Sequence, residues 1–296
     1  MYMKNLIPFL LTLTMVSCIS KTNLVQESIV FDPVIGHEVR TVNDMSVPFP
    51  EDKSFGVWAL DSQSSGKYID DRQICCSGGV WGSASLPFWP SSSSLTFFAY
   101  SPYDLPMRLE GGNLMLEGFD VRDGDDELLF AKTASGLTSA QGEVKLPFIH
   151  ALAKLDMRVA NGYGNDVQVR VDRILLKGVA MRGDFHSARH PYWKADKSST
   201  VDVTIFDSER DGQFLAGPTM QFIGDVHTII PQGLTPSVEL TYAFRVDEGE
   251  WIDGQVESVE LRDVFWEPGR YYTYSLRISE MKLSCTTGIG HWNERN

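Results

Sequence analysis

The sequence predicts an all-β protein of the antiparallel sandwich type. Short runs of aromatic and β-branched residues recur every roughly 8 to 14 residues, each bounded by Gly, Pro, Ser or Asp. No stretch of ten or more residues combines a 3.6-residue apolar period with helix caps. The composition, with Gly 25, Pro 14, Phe 16, Tyr 10 and Trp 7, suits strands joined by turns. The spacing leaves no room for repeated βαβ units.

Taken in order, the elements begin with a polar stretch over 19–30, which reads as a tether or a loosely held first strand. Ser54–Leu60 and Leu95–Tyr100 read as buried strands. Between them, Leu86-Pro-Phe-Trp-Pro followed by four serines reads as a loop. Val167, Val169, Val171 and Ile174 mark a further strand, Val201, Val203 and Ile205 another, and His227–Ile230 a third. Leu152–Met157 belongs to something extended. Val238–Val246 turns through Asp247-Glu-Gly-Glu250 into Trp251, which reads as a β-hairpin. Tyr271, Tyr272, Tyr274, Leu276 and Ile278 close the series.

At 296 residues the length favours two domains, each of about 120 to 150 residues. With 26 Lys+Arg against 39 Asp+Glu, the net charge is −13. That balance excludes a nucleic-acid partner, which requires clustered cations to displace phosphate counterions. With 43% hydrophobic residues, most of the chain should fold.

The N-terminus has the form of a secretory signal: Lys4, then an apolar run from Leu6 to Val16 that is too short to span a bilayer, then Ser17. Met15-Val16-Ser17-Cys18 resembles a bacterial lipobox, which makes residues 1–17 a lipoprotein signal peptide and Cys18 the lipidated residue. Cleavage there removes Lys4 alone among the charged groups, so the mature chain is one unit more negative. Cys75 and Cys76 are adjacent and match no zinc or redox spacing, so they read as buried small apolar residues or as partners of Cys285.

No spacing in the chain meets the demands of a catalytic reaction. Asp120–Glu127 is densely acidic but lacks the glycine and terminal glutamate of an EF-hand loop. His186 and His190 lie in a loop-like setting unsuited to a metal pair. No nucleophile elbow or phosphate loop is found. His150, inside an apolar run, reads as a core histidine. The expectation is no catalytic residue, no metal and no cofactor.

Five segments occur in order: Leu95-Thr-Phe-Phe-Ala-Tyr-Ser-Pro-Tyr103, Asp126-Glu-Leu-Leu-Phe-Ala131, Val144–Leu155, Trp266-Glu-Pro-Gly-Arg-Tyr-Tyr-Thr-Tyr274 and Ile289-Gly-His-Trp292. Together, after a lipobox, they resemble the fimbrillin (Mfa-like) family of lipoprotein pilins from the Bacteroidales. The resemblance implies two tandem transthyretin-like β-sandwich domains, over 18–148 and 149–296, in a fimbrial subunit or a fimbria-associated tip or anchor lipoprotein of the outer membrane. It implies assembly with other fimbrial subunits by β-strand addition, after an arginine-specific protease releases the first strand. Arg40 is the only arginine between Cys18 and Arg72 and so the natural cleavage site; an uncut surface arginine is the alternative. A host protein or glycan receptor is a further implied partner. The competing reading is a surface glycan-binding lipoprotein, with Trp81, Trp89, Trp193 and Trp251 stacking on sugar rings.

Overall fold

The computed structural model describes residues 27–36, 46–121, 127–262, 265–280 and 282–292. The described chain is all-β. Its first part contains β1 (Phe31–Ile35), β2 (Val47–Pro48), β3 (Ser54–Asp61), β4 (Lys67–Ser77), β5 (Val80–Gly82), β6 (Leu95–Ser101), β7 (Arg108–Glu110), β8 (Asn113–Asp120), β9 (Leu129–Lys132) and β10 (Val144–His150). Then come β11 (Ala153–Asn161), β12 (Val167–Ala180), β13 (Arg182–His186), β14 (Tyr192–Ala195), β15 (Thr200–Asp207), β16 (Phe214–Ala216), β17 (Gln221–Ile229), β18 (Ser237–Val246), β19 (Ile252–Glu260), β20 (Arg270–Ile278) and β21 (Ser284–His291). Among the described residues the one α-helical turn is Ser208–Asp211.

Eight strands form one sheet in the order β10-β9-β6-β3-β4-β5-β1-β2, and β1 also pairs with β10, which closes the sheet on itself. The sequence of β3 and β6 explains why this barrel does not stand alone. Phe55, Val57 and Ala59 of β3, with Phe97 and Ala99 of β6, point into the barrel core. Trp58, Phe98 and Tyr100 point the other way, into a second core that runs on through the rest of the chain. Alternation between two apolar environments makes both strands read as unbroken apolar runs. Gly56 lets the Tyr100 ring lie flat across β3, where any Cβ would collide with it.

The second core lies between a four-stranded sheet, β17-β11-β20-β21, and a five-stranded sheet in which β16 joins the path β15-β12-β18-β19. A further sheet, β14-β13-β8-β7, takes strands from both sides of residue 148 and covers the outer face of the barrel with Leu109, Leu114, Leu116 and Phe185. Most ladders are antiparallel, but β1 with β10 and β11 with β20 are parallel. Each parallel pair is separated by a long stretch of chain, as parallel neighbours require.

All five segments of the sequence signature contribute residues to the joint between the two parts or to the strands beside it. The chain crosses at 150–153, and nearly every polar group there is taken. The Ala151 N–H donates to Leu128, and the Ala151 carbonyl accepts from Trp193 Nε1 at 2.6 Å. The Leu152 carbonyl accepts from the Gly269 N–H, and the Gly269 carbonyl accepts from the Trp292 N–H. Gly269 holds a φ of 69°, which a side chain would strain. His150, buried as expected, stacks on Trp292 with centroids 4.1 Å apart and meets Glu127 through Nδ1 at 2.9 Å. On its other side Lys154 sits 4.3 Å over the Trp292 ring.

Burial would raise the Glu127 carboxyl, but the hydrogen bond and charge of His150, with help from Lys53, outweigh it and hold the group at about 2 instead of 4.5. A carboxyl depressed on folding stabilises the fold above its unfolded value. That contribution is complete above pH 4.5 and disappears as pH falls to about 2. Glu127→Gln should therefore cost about 2 kcal/mol near neutral pH and flatten the acid limb of stability across this window. Urea denaturation at a series of pH values measures both effects.

Candidate assembly site

Among the described residues, the feature that stands out is the strand closing the barrel. In β1 the buried side chains are Phe31, Pro33 and Ile35, while Asp32 and Val34 lie half out. Phe31 packs edge-on against Phe55 and Phe97, with centroids 5.9 and 5.6 Å away. Ile29, just before the strand, is 3% exposed and completes the apolar row.

One side of β1 is well held. Phe31 to Ile35 run in register with Val144 to Phe148 of β10. The Val144 N–H donates to the Val30 carbonyl at 2.8 Å and the Gly36 N–H to Phe148 at 2.9 Å. Both bonds fall on even-numbered residues of each strand, and bonding positions alternate along a ladder. Pro33 and Pro147 therefore sit at the off positions, where neither missing N–H breaks the pairing.

The other side is sparse. β1 meets β5 through the single pair Phe31 and Trp81, and meets β2 through Val34–Pro48 and Ile35–Val47. Phe49, just past β2, donates its N–H to the Pro33 carbonyl at 3.2 Å. Upstream, the strand is fixed by the Trp89 N–H on the Glu27 carbonyl and by the bridge of Ser28 to Phe88. Without residues 29–35 the barrel would have a slot floored by Phe49, Phe55, Phe97 and Phe148, with β10 as one wall.

Cys18 and Arg40 both lie outside the described residues. Arg40 falls in the connection 37–45, between the end of β1 and the start of β2. The acidic residues 122–126 also lie outside; the flanking Glu127 belongs to the joint. His186 is stacked on Tyr192 of the neighbouring strand.

The reading of the cysteines as buried or paired needs correction. Cys75, Cys76 and Cys285 are free; Cys75 is exposed and the other two are partly covered. Only one face of β4 meets the core here, through Ile74 and the partly covered Cys76, and Cys75 points the other way. Burial pushes the Cys285 thiol up to about 11. Maleimide at pH 7 should therefore label Cys75 at least about tenfold faster than Cys285, read by mass spectrometry of the folded protein.

Of the four tryptophans proposed for sugar stacking, two are buried and two are half-buried and in contact with other side chains. Trp81 and Trp89 are each 8% exposed and packed in the barrel core. Trp193 packs against Phe119 and Phe185. The guanidinium groups of Arg170 and Arg245 each lie 4.9 Å from the Trp251 ring.

The profile of the fimbrillin-like family matches residues 40–292. The chain belongs to the fimbrillin-like family. This bears out the resemblance carried by the five segments. Among solved structures, this fimbrillin-like chain is similar to a fimbrial protein from Bacteroides vulgatus ATCC 8482, at 16% identity and a TM-score of 0.62, covering 89% of this chain and 99% of that one. It is also similar to a candidate cell adhesion protein from Bacteroides ovatus ATCC 8483, at 17% identity and a TM-score of 0.57, covering 92% and 99%. At these identities the likeness establishes the fold. No curated protein matches the chain in sequence.

The energetic weight of the closing strand is open to test. Phe31→Ala should cost about 3–4 kcal/mol, whereas Asp32→Ala, on the half-exposed row, should cost under about 0.5 kcal/mol. Equilibrium denaturation of the two variants measures the contrast.

Proposed function

We propose that this fimbrillin-like protein is a fimbrial subunit, or a tip or anchor lipoprotein of a fimbria, that assembles by exchange of its first strand. Cys18 carries the lipid that holds the uncut chain to the outer membrane, and cleavage after Arg40 frees β1, with Cys18 ahead of it, from the rest of the chain. The slot then accepts a strand from a neighbouring subunit. The role is structural and adhesive, with no catalytic step.

One observation supports this reading most: β1 closes the barrel along a seam while the sole arginine of the stretch lies in the connection behind it. After a cut at Arg40, β1 is held by about three buried side chains, each worth roughly 2 kcal/mol, and by one ladder. An incoming strand must supply apolar groups where Phe31, Pro33 and Ile35 sit, and backbone donors in the phase set by Val144 and Phe148. The division of the chain near residue 148 into two β units belongs to the same proposal, with the shared sheet coupling them. The glycan reading loses support because Trp81 and Trp89 are buried and Trp193 and Trp251 already pack against other side chains.

Limited trypsin treatment should nick the chain at Arg40 and yield SDS-resistant ladders, while Arg40→Ala gives no such ladder under the same treatment. A cut protein that remains a stable monomer contradicts strand exchange. Separately, Cys18→Ala should move the protein from the membrane fraction to the soluble fraction; unchanged retention contradicts the lipid anchor.

A further inference from the structure

A second surface has the features of a strand-pairing interface and owes nothing to β1. The two sheets of the larger sandwich have edges on two sides. On one side the edges are closed, because Gly224 of β17 abuts the Ile205 carbonyl of β15, so closely that a Cβ there would collide. On the other side lie β19 and β21, each the last strand of its sheet. The two are neighbours: Glu257 of β19 accepts from the Leu283 N–H, just ahead of β21, at 2.6 Å. Both present their outer backbone edge to solvent among the described residues.

Long, flat, apolar edges are normally protected by charge. Here β21 carries no charged side chain from Ser284 to Gly290 and displays Ile289 at 62% exposure. Its flanks are net cationic: Lys282 precedes it, with exposed Glu280 two residues upstream, and Arg277 of β20 is opposite Ser284. Lys282 and Arg277 are exposed, and neither forms an ion pair among the described residues. By contrast, β19 follows the acidic turn Asp247-Glu-Gly-Glu250 and carries Asp253, paired with Arg170, Glu257, and Glu260, paired with Arg262, beside exposed Ile252 and Val256, the latter 58% exposed. In a chain of net charge −13, an uncharged edge with cationic flanks is where another acidic molecule can approach.

We propose that the β19/β21 edge docks a second copy of this chain about a two-fold axis, with β21 of each copy pairing with β19 of the other. Charge selects this arrangement. Pairing β19 with itself opposes carboxylates, and pairing β21 with itself in antiparallel fashion brings Lys282 and Arg277 toward Arg270 and His291 of the other copy. The crossed arrangement sets cations against carboxylates and repeats the contact twice, as an isologous interface requires. Apolar Ile289, Ile252 and Val256 then leave water together.

Sedimentation velocity on the full chain carrying Cys18→Ser, over a concentration series, tests the proposal. The chain should self-associate, and 0.5 M NaCl should weaken the dimer. Ile289→Glu, which places an acid opposite acidic β19, should weaken it about tenfold or more. Ile289→Lys should leave the affinity within about threefold. Val256→Lys should restore association to the Ile289→Glu chain. Equal weakening by Glu and Lys overturns the crossed pairing, and indifference to both, or a monomer at every concentration, overturns the interface. Arg40 is intact throughout, so failure here leaves strand exchange at β1 untouched.

Discussion

The alternation of β3 and β6 between two cores is the constraint on which the rest of the structure depends. One row of each strand seals the barrel, and the other row forms part of the core that continues into the large sandwich. A one-residue slip would expose Phe55 and Val57 to the wrong core and bring Trp58 inward, so the register is fixed twice over. The sheet that takes strands from both sides of residue 148 follows from this, since the outer face of β3 and β6 has to be covered. The joint then locks the arrangement, with His150, Glu127, Trp292 and Gly269 each satisfied by a different segment.

Against that rigid frame β1 stands out. β1 has one full ladder, to β10, and a sparser flank of three pairs to β2 and β5. Among the described residues it is also the first strand of the chain. The barrel thus combines a core that needs the strand, through Ile29, Phe31 and Ile35, with a topology that permits its exchange.

Much of the fold was legible in the sequence because burial on both faces leaves an unmistakable apolar run, as in Ser54–Leu60 and Leu95–Tyr100. The hairpin of β18 and β19 was legible through its turn, Asp247-Glu-Gly-Glu250. The parallel pairing of β1 with β10 was not, because it joins residues more than 100 positions apart, and a short strand interrupted by Pro33 carries little local signal. The joint was only half visible. The apolar setting of His150 showed burial, but its partners Glu127 and Trp292 lie far off in sequence. The cysteines were misread because adjacent residues on a strand face opposite ways, so Cys75 and Cys76 could not share one environment.

The central claim is that the first strand opens as a unit of low stability from a barrel that otherwise stays closed. Native-state hydrogen exchange addresses it most directly, by comparing the amides of Gly36 and Val144, which bond across the seam, with those of Met157 and Val159 inside β11. The account predicts that the seam amides exchange together through a local opening, several kcal/mol below global unfolding, while the β11 amides exchange only when the whole chain unfolds. Equal protection at all four positions would contradict it.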